Sequence, residues 1–132
     1  MRVYKHVPIT PPEAARKAAR RGLEARSRAS ASRKGGLSAS EAAAQGITSG
    51  VNQAKRIAAG RTMNATQVHA FFSRHRGNYL KAVERGIPLE QSKIKQAWLL
   101  WGGEPMRRAV AKAVEKAKGP GKPGISIAKL LS

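Results

Sequence analysis

The sequence predicts an all-α protein of about five helices, with a small aromatic core, Ala-rich basic helices around it and an extended tail at each end. Apolar residues recur every three or four positions through most of the chain, which is typical of amphipathic helices. Helix-start signals occur several times, and only residues 1–9 alternate as a strand does. Both Phe and both Trp residues lie between Met63 and Trp101, so the core is expected there.

Residues 1–12 predict an extended arm, and the first helix is expected to start at a Thr-Pro-Pro-Glu signal. Thr10 is the candidate cap, Pro11 suits the first helical position, and Glu13 completes a capping box. This helix is predicted to run to about Arg33. One arc of it holds Arg16, Lys17, Arg20, Arg21 and Arg28. The opposite arc holds Ala14, Ala18, Ala25 and Ala29.

A second helix is predicted from a capping box at Ser38 and Glu41 to about Ala59, before Gly60. Its expected apolar face comprises Ile47, Val51, Ala54 and Ile57.

A third helix is expected to start at Asn64 and to break at Gly77-Asn78, because glycine disfavours a helix interior. Asn78 would then cap a further short helix to Arg85. In that short helix the expected inward residues are Tyr79, Leu80 and Val83.

The next helix is predicted over Leu89–Trp101 and stops at Gly102-Gly103. Trp98 and Trp101 lie at helical spacing, which favours a core position over a stacking platform for single strands. The predicted core residues are Phe71, Phe72, Tyr79, Trp98 and Trp101.

The last helix is predicted from Glu104 to about Lys118. Its expected apolar face is Met106, Val110, Ala113 and Val114. Its expected basic face is Arg107, Arg108, Lys112 and Lys116. The segment 119–124, GPGKPG, is predicted to be an irregular linker, and ISIAKLLS after it a docking tail. One helical domain is thus expected over residues 13–118, with its aromatic core in 63–114 and a flexible tail over 119–132.

The charge is strongly positive, with 26 Lys and Arg against 7 acidic residues and a net charge of +19. Residues 1–34 hold ten bases and two acids, and residues 105–132 hold seven bases and one acid. Solubility alone is served by a net charge of about 2–8 in a small domain. A polyanion, above all nucleic acid, is the expected partner, since binding releases its counterions. An acidic protein surface would attract the same side chains.

Enzyme signals are weak, and no metal or cofactor is expected. The chain has no Cys and no Asp, and His69 and His75 are six residues apart, on different faces of a helix. No phosphate-binding loop or nucleophile elbow is present. His75 and Asn78 beside Arg74 and Arg76 are candidates for phosphate or base contact, although such a His is more often half-buried beside aromatics, where it satisfies a local hydrogen bond. No apolar run approaches the ~18 residues of a membrane span.

Four segments in order resemble a short module of tailed-phage head and structural proteins. They are Ala19–Arg26 (ARRGLEAR), Gly46–Gly60 (GITSGVNQAKRIAAG), Val68–Asn78 (VHAFFSRHRGN) and Gln96–Pro105 (QAWLLWGGEP). The resemblance covers about residues 14–108 and implies a virion or head-assembly setting rather than a reaction. It implies no catalytic residue.

The expected function is therefore binding, as a structural protein in the virion and in the host cytoplasm during assembly. Its partners would be DNA, bound without sequence specificity, or other virion proteins in a large assembly. A regulator with a recognition helix at residues 65–76 is one alternative, and a nuclease-like enzyme using His75 and Asn78 is another. The expected phosphate contacts are Arg16, Lys17, Arg20, Arg21, Arg28, Arg74, Arg76, Arg107, Arg108, Lys112 and Lys116.

Overall fold

The computed structural model describes residues 5–36, 38–45 and 49–118, and it confirms the all-α prediction. These residues form α1 (Glu13–Arg28), α2 (Ala39–Gln45), α3 (Gly50–Ala58), α4 (Ala65–Glu84), α5 (Lys93–Leu100) and α6 (Gly103–Ala117). Short 3₁₀ turns lie at Ala31–Arg33 and Leu89–Gln91. The linker and docking tail predicted over 119–132 lie outside the described residues, as does Ile47.

Residues 5–12 of the predicted arm lie on the protein itself. Strand β1 (Pro8–Ile9) pairs antiparallel with β2 (Met63–Asn64), which leads directly into α4. The amide of Val7 donates to Asn64 Oδ1 at 3.2 Å, and that of Ala65 to the Val7 carbonyl at 2.7 Å. The N-terminal segment therefore covers the beginning of α4.

Helix α1 starts later and ends earlier than predicted. Its N-cap is Pro12, and no side chain caps the helix. Pro11 is not the first helical residue, because a residue that precedes a proline disfavours the helical region. Thr10 is too far from the helix to cap it. At the other end α1 stops at Arg28, where Lys34 Nζ donates to the carbonyls of Arg26 (2.7 Å) and Ala29 (3.0 Å).

The buried face of α1 is made of small residues, and it differs in part from the predicted alanine arc. Ala18, Ala25 and Ala29 are buried as expected, but Ala14 is exposed. Gly22 lies against α5, where an added Cβ would come within 2.7 Å of Leu100 N. Helix α1 thus crosses α5 in backbone contact and also packs on α3 and α6.

Two predicted helices are divided by serine caps. The helix expected over residues 38–59 becomes α2 and α3, and Ser49 Oγ accepts from Asn52 N at 3.1 Å at the start of α3. The helix expected over Leu89–Trp101 becomes a 3₁₀ turn and α5, which Ser92 caps through Lys95 N at 3.1 Å. The Ser38–Glu41 capping box is present as predicted.

The break predicted at Gly77-Asn78 is wrong, because α4 continues through both residues to Glu84. A single glycine costs a helix only about 1 kcal/mol, and one tryptophan holds both halves. Phe72 meets Trp98 edge-on at 4.7 Å between ring centroids, and Tyr79 stacks on it at 4.1 Å. This continuity fixes the rotation of the second half, which leaves Leu80 and Val83 each 48% exposed instead of inward.

In the core, aromatic contacts join α4 to α5 and to Trp101, the residue that follows α5. Phe71, Phe72, Trp98 and Trp101 are buried, and Tyr79 packs against them half-buried. Trp101 stacks on Phe71 at 4.5 Å. The remaining core positions are aliphatic, among them Ile57, Leu100, Met106 and Val110.

Candidate nucleic-acid interface

Four of the arginines that were predicted to contact phosphate form ion pairs with glutamates of the protein. At the start of α1, Arg16 and Arg20 contact Glu13 at 3.2 and 3.6 Å, and both donate to the Ala58 carbonyl at the end of α3. The carbonyl end of a helix carries partial negative charge, which favours these two cations. Both arginines therefore contribute to the α1–α3 contact.

The other two arginines, Arg28 and Arg107, form ion pairs with Glu90 and Glu104. Arg28 contacts Glu90 at 2.9 Å and so joins the end of α1 to the turn before α5. Arg107 contacts Glu104 at 2.9 Å, and Glu104 also accepts from the buried Trp98 indole at 2.9 Å. These pairs reduce the positive charge available to a partner.

The remaining predicted contacts are exposed and lie on three different helices. Arg108, Lys112 and Lys116 follow one another at four-residue spacing along α6. Lys17 and Arg21 lie on α1, beside α5 and α6. Arg74 and Arg76 are about 200° apart around α4, so they belong to opposite flanks. None of these seven makes an ion pair within the described part of the chain.

Four basic side chains line a groove that the sequence did not reveal. We name it the cationic groove, and its volume is about 630 Å³. The described residues that line it include four basic side chains and no carboxylate: Arg33, Lys81, Arg85 and Lys93. Its polar wall is formed by Ser32, Asn78, Gln91 and Ser92.

One side of the cationic groove is a face of α4. Asn78, Lys81 and Arg85 are spaced by three and four residues, and Arg74 continues the same face one turn earlier. Arg74 joins this stripe only because α4 is continuous through Gly77, which the predicted break excluded.

The opposite side is held in place by one buried glutamine. Gln96 is fully buried; its Oε1 accepts from Gly35 N at 2.7 Å, and its Nε2 donates to the carbonyls of Arg33 (2.9 Å) and Leu89 (3.1 Å). These bonds tie together the two 3₁₀ turns that carry Arg33 and Gln91. Gly35 is required here, since a Cβ would overlap the Lys93 carbonyl oxygen.

The first turn of α5 also faces the groove through Ser92, Lys93 and Ile94. The amino end of a helix carries partial positive charge and favours anions. The helix end and the four basic side chains therefore both favour a bound anion, and the arrangement suits phosphate groups.

His75 and Asn78, the residues of the enzyme alternative, have different surroundings. His75 is half-buried with its ring 4.8 Å from that of Phe71, and burial lowers its pKa, with a further decrease from the charge of Arg74. Asn78 is exposed at the cationic groove. In the described ranges no three His, Cys, Asp or Glu side chains are grouped to hold a metal ion.

The segment of the proposed recognition helix, residues 65–76, has little free surface. Its first turn is bound by Lys5 and Val7, which precede β1, and its exposed residues are Ser73, Arg74 and Arg76. Reading base edges needs a row of exposed side chains along one face.

Comparison with protein-family models, with curated proteins and with solved structures gave no match for this chain. Among the described helices, none combines the length and the apolar character needed to cross a membrane.

Proposed function

We propose that this chain is a non-enzymatic structural protein of a tailed-phage virion that binds DNA phosphates without sequence specificity. The cationic groove is the observation that supports DNA binding most directly, because four cations converge where no described carboxylate lies. The virion setting rests on the four sequence segments that resemble the phage module. The protein would act within a large assembly, in contact with packaged DNA or with acidic surfaces of other virion proteins.

The chemistry of the groove fits a phosphate backbone better than base edges. Arg33 and Arg85 offer planar guanidinium forks that bind phosphate through two bonds, and Lys81 and Lys93 add point charges. Phosphate contacts contribute affinity and position but carry no base sequence. Binding should therefore be of similar strength on every duplex of the same length.

The length of the surface is adequate for several phosphates. From Arg74 to Arg85 the α4 face extends over about 16 Å. The axial rise of one DNA strand is about 3.4 Å per nucleotide, so this face spans about five nucleotides. Lys93 and Arg33 lie across the groove and would contact the same backbone from the other side.

The test is salt-dependent binding of the purified full chain to a random duplex. A double variant, Lys81→Glu with Arg85→Glu, removes two contacts and should lower the slope of log affinity against log salt by about 2. The matched control is Lys55→Glu with Arg56→Glu, two exposed residues on α3 with the same change in charge. The wild-type chain should also bind random and defined duplexes equally.

Two results contradict DNA binding at this groove. The first is an equal loss in the α3 control, which would mean that only the total charge matters. The second is a strong preference for one duplex sequence, which would favour the regulator. The virion setting is tested separately, by whether the chain sediments with DNA-filled particles at a fixed copy number; its absence from purified particles would overturn that setting alone.

A further inference from the structure

The opposite flank of α4 borders a second groove, which we name the aromatic groove. Its volume is about 640 Å³, and it lies between α1, α4, α5 and the beginning of α6. Tyr79, Leu89 and Leu99 contribute its apolar surface, the buried Trp98 lies beneath Tyr79, and Val83 forms its edge on α4. The cationic groove has no comparable aromatic surface.

The apolar side of this groove continues onto exposed α4 residues. Leu80 and Val83 are the large hydrophobic residues that the described part of the chain leaves exposed, each at 48%. Residues 76, 80 and 83 follow helical spacing, so Arg76, Leu80 and Val83 occupy one flank of α4. A contiguous exposed apolar patch bordered by charge is typical of a protein interaction site.

The charges around the groove are positive and largely unpaired. Lys17 and Arg21 are exposed on α1 and form no ion pair with any described residue. The one described acid that lines the groove, Glu104, is already bound by Arg107 and by the Trp98 indole. An incoming carboxylate would therefore find two available cations beside an apolar surface.

We propose that the aromatic groove binds an acidic amphipathic segment of a partner protein. Apolar side chains of that segment would pack on Tyr79, Leu89 and Val83, and its carboxylates would pair with Lys17 and Arg21. This is the recognition of an amphipathic helix in a groove, in which apolar residues three or four positions apart serve as anchors. The two flanks of α4 would thus bind different partners.

Charge and stacking disfavour two other occupants. The chain's own residues 119–132 carry Lys122 and Lys129 and no acid, so they would meet the like charges of Lys17 and Arg21. Bases of a single strand need a free aromatic face, but Trp98 is 1% exposed and Tyr79 stacks on it.

The experiment measures binding of a labelled synthetic helical peptide to the full chain by fluorescence anisotropy. The probe carries Leu on one face and Glu elsewhere, and a second peptide of the same composition distributes its Leu residues around the helix. Two groove variants are compared with wild type: Val83→Asp, and Lys17→Glu with Arg21→Glu. The matched control is Lys81→Glu with Arg85→Glu, which has the same change in charge on the other flank of α4.

Both groove variants should weaken binding of the amphipathic probe by about tenfold, since each places negative charge against its carboxylates. The control should weaken it less than the Lys17/Arg21 variant does. All these side chains are exposed, so folding should be preserved, and circular dichroism checks this. The affinity for DNA should fall more in the Lys81/Arg85 variant than in the Lys17/Arg21 variant. This opposite order separates the proposal from DNA binding at the cationic groove.

Three outcomes would overturn the proposal. Equal binding of the two peptides would show that only charge is recognised. Tighter peptide binding after deletion of residues 119–132 would show that the tail occupies the groove. Displacement of the peptide by single-stranded DNA, with that DNA bound more weakly by Val83→Asp, would make the groove a nucleic-acid site.

Discussion

The crossing of α1 over α5 and the outer half of α4 use glycine in opposite ways. In the crossing, Gly22 allows two backbones to touch, and a Cβ there would come within 2.7 Å of Leu100 N. In the outer half of α4, Gly77 has no neighbouring atom within 4 Å of where a Cβ would be. The first glycine is required by packing, and the second is only a cost to the helix.

We use this difference to name two parts of the molecule. The frame is the α1–α5 crossing with Gly22, Gly35 and Gln96, and the ridge is the outer half of α4 from Gly77 onwards. The α1–α5 crossing, with Gly35 and Gln96 beside it, sets the positions of the groove walls. The outer half of α4 projects between the two grooves and supplies Lys81 and Arg85 to one and Tyr79 and Val83 to the other. Changes in the frame should therefore affect folding, and changes on the ridge should affect binding.

The substitution Gly22→Ala should have the largest effect on stability. The added methyl would also lie 2.9 Å from Leu99 backbone and Cβ atoms, so α1 and α5 must separate. Overpacking of this kind typically costs about 1–3 kcal/mol, and more where backbone must move. Chemical denaturation of the variant and the wild type measures the loss.

The matched control is Gly77→Ala, the same substitution at an exposed position inside α4. It should stabilise the protein by about 0.5–1 kcal/mol, because alanine restricts the unfolded chain and favours the helix. If both variants shift stability in the same direction, the distinction between crossing and ridge is wrong.

The substitution Gln96→Leu should have the next largest effect. It removes three hydrogen bonds and leaves Gly35 N buried without a partner, at a cost of about 1–3 kcal/mol for such a group. It should also weaken DNA binding, since Arg33 and Gln91 are held by these bonds. Denaturation and DNA affinity of the same variant measure the two consequences.

The control for this variant is Gln91→Leu, which makes the same change at an exposed residue of the cationic groove. Its stability should remain within about 0.5 kcal/mol of wild type, as is usual for surface positions. A loss equal to that of Gln96→Leu would mean that the buried hydrogen bonds are not what holds the groove wall.

The sequence predicted the fold class and the core residues better than the contacts between distant segments. The side-chain caps at Ser38 and Asn64 were located, because each cap and its target lie within three residues, but the caps at Ser49 and Ser92 were missed. The aromatic spacing also identified the residues that meet in the core. A cap depends on neighbours in sequence, whereas the clustering of aromatic residues between Met63 and Trp101 indicated the core without giving its ring contacts.

The grooves were missed because they depend on contacts distant in the chain. Arg33, Lys81 and Lys93 converge only after Gln96 joins two turns, and nothing near Gln96 in the sequence marks it as buried. Similarly, the ion pair of Arg28 with Glu90 and the hydrogen bond of Arg16 to the Ala58 carbonyl involve partners from another turn and another helix. A helical projection identifies a basic arc but not which of its members are already paired.

The smallest expected effect concerns His75, which lies where the core meets the ridge. Burial, and then the charge of Arg74, hold the pKa of His75 below its usual value of 6.5. The unfolded chain therefore takes up a proton at a higher pH than the folded protein does. This contribution to stability is complete above about pH 6.5 and is lost as the pH falls from there to the lowered pKa of the folded state.

The variant His75→Gln should lack this pH-dependent contribution. The free energy of unfolding of the variant should therefore change less than that of wild type between pH 7.5 and pH 5.5 (about one unit either side of 6.5). Arg74→Gln should remove only the smaller cause and give an intermediate dependence. Denaturation curves at the two pH values measure both variants. A wild-type pH dependence that persists unchanged in His75→Gln would show that the ring is solvated like the rest of the ridge, and would move the boundary of the core inward to Phe71.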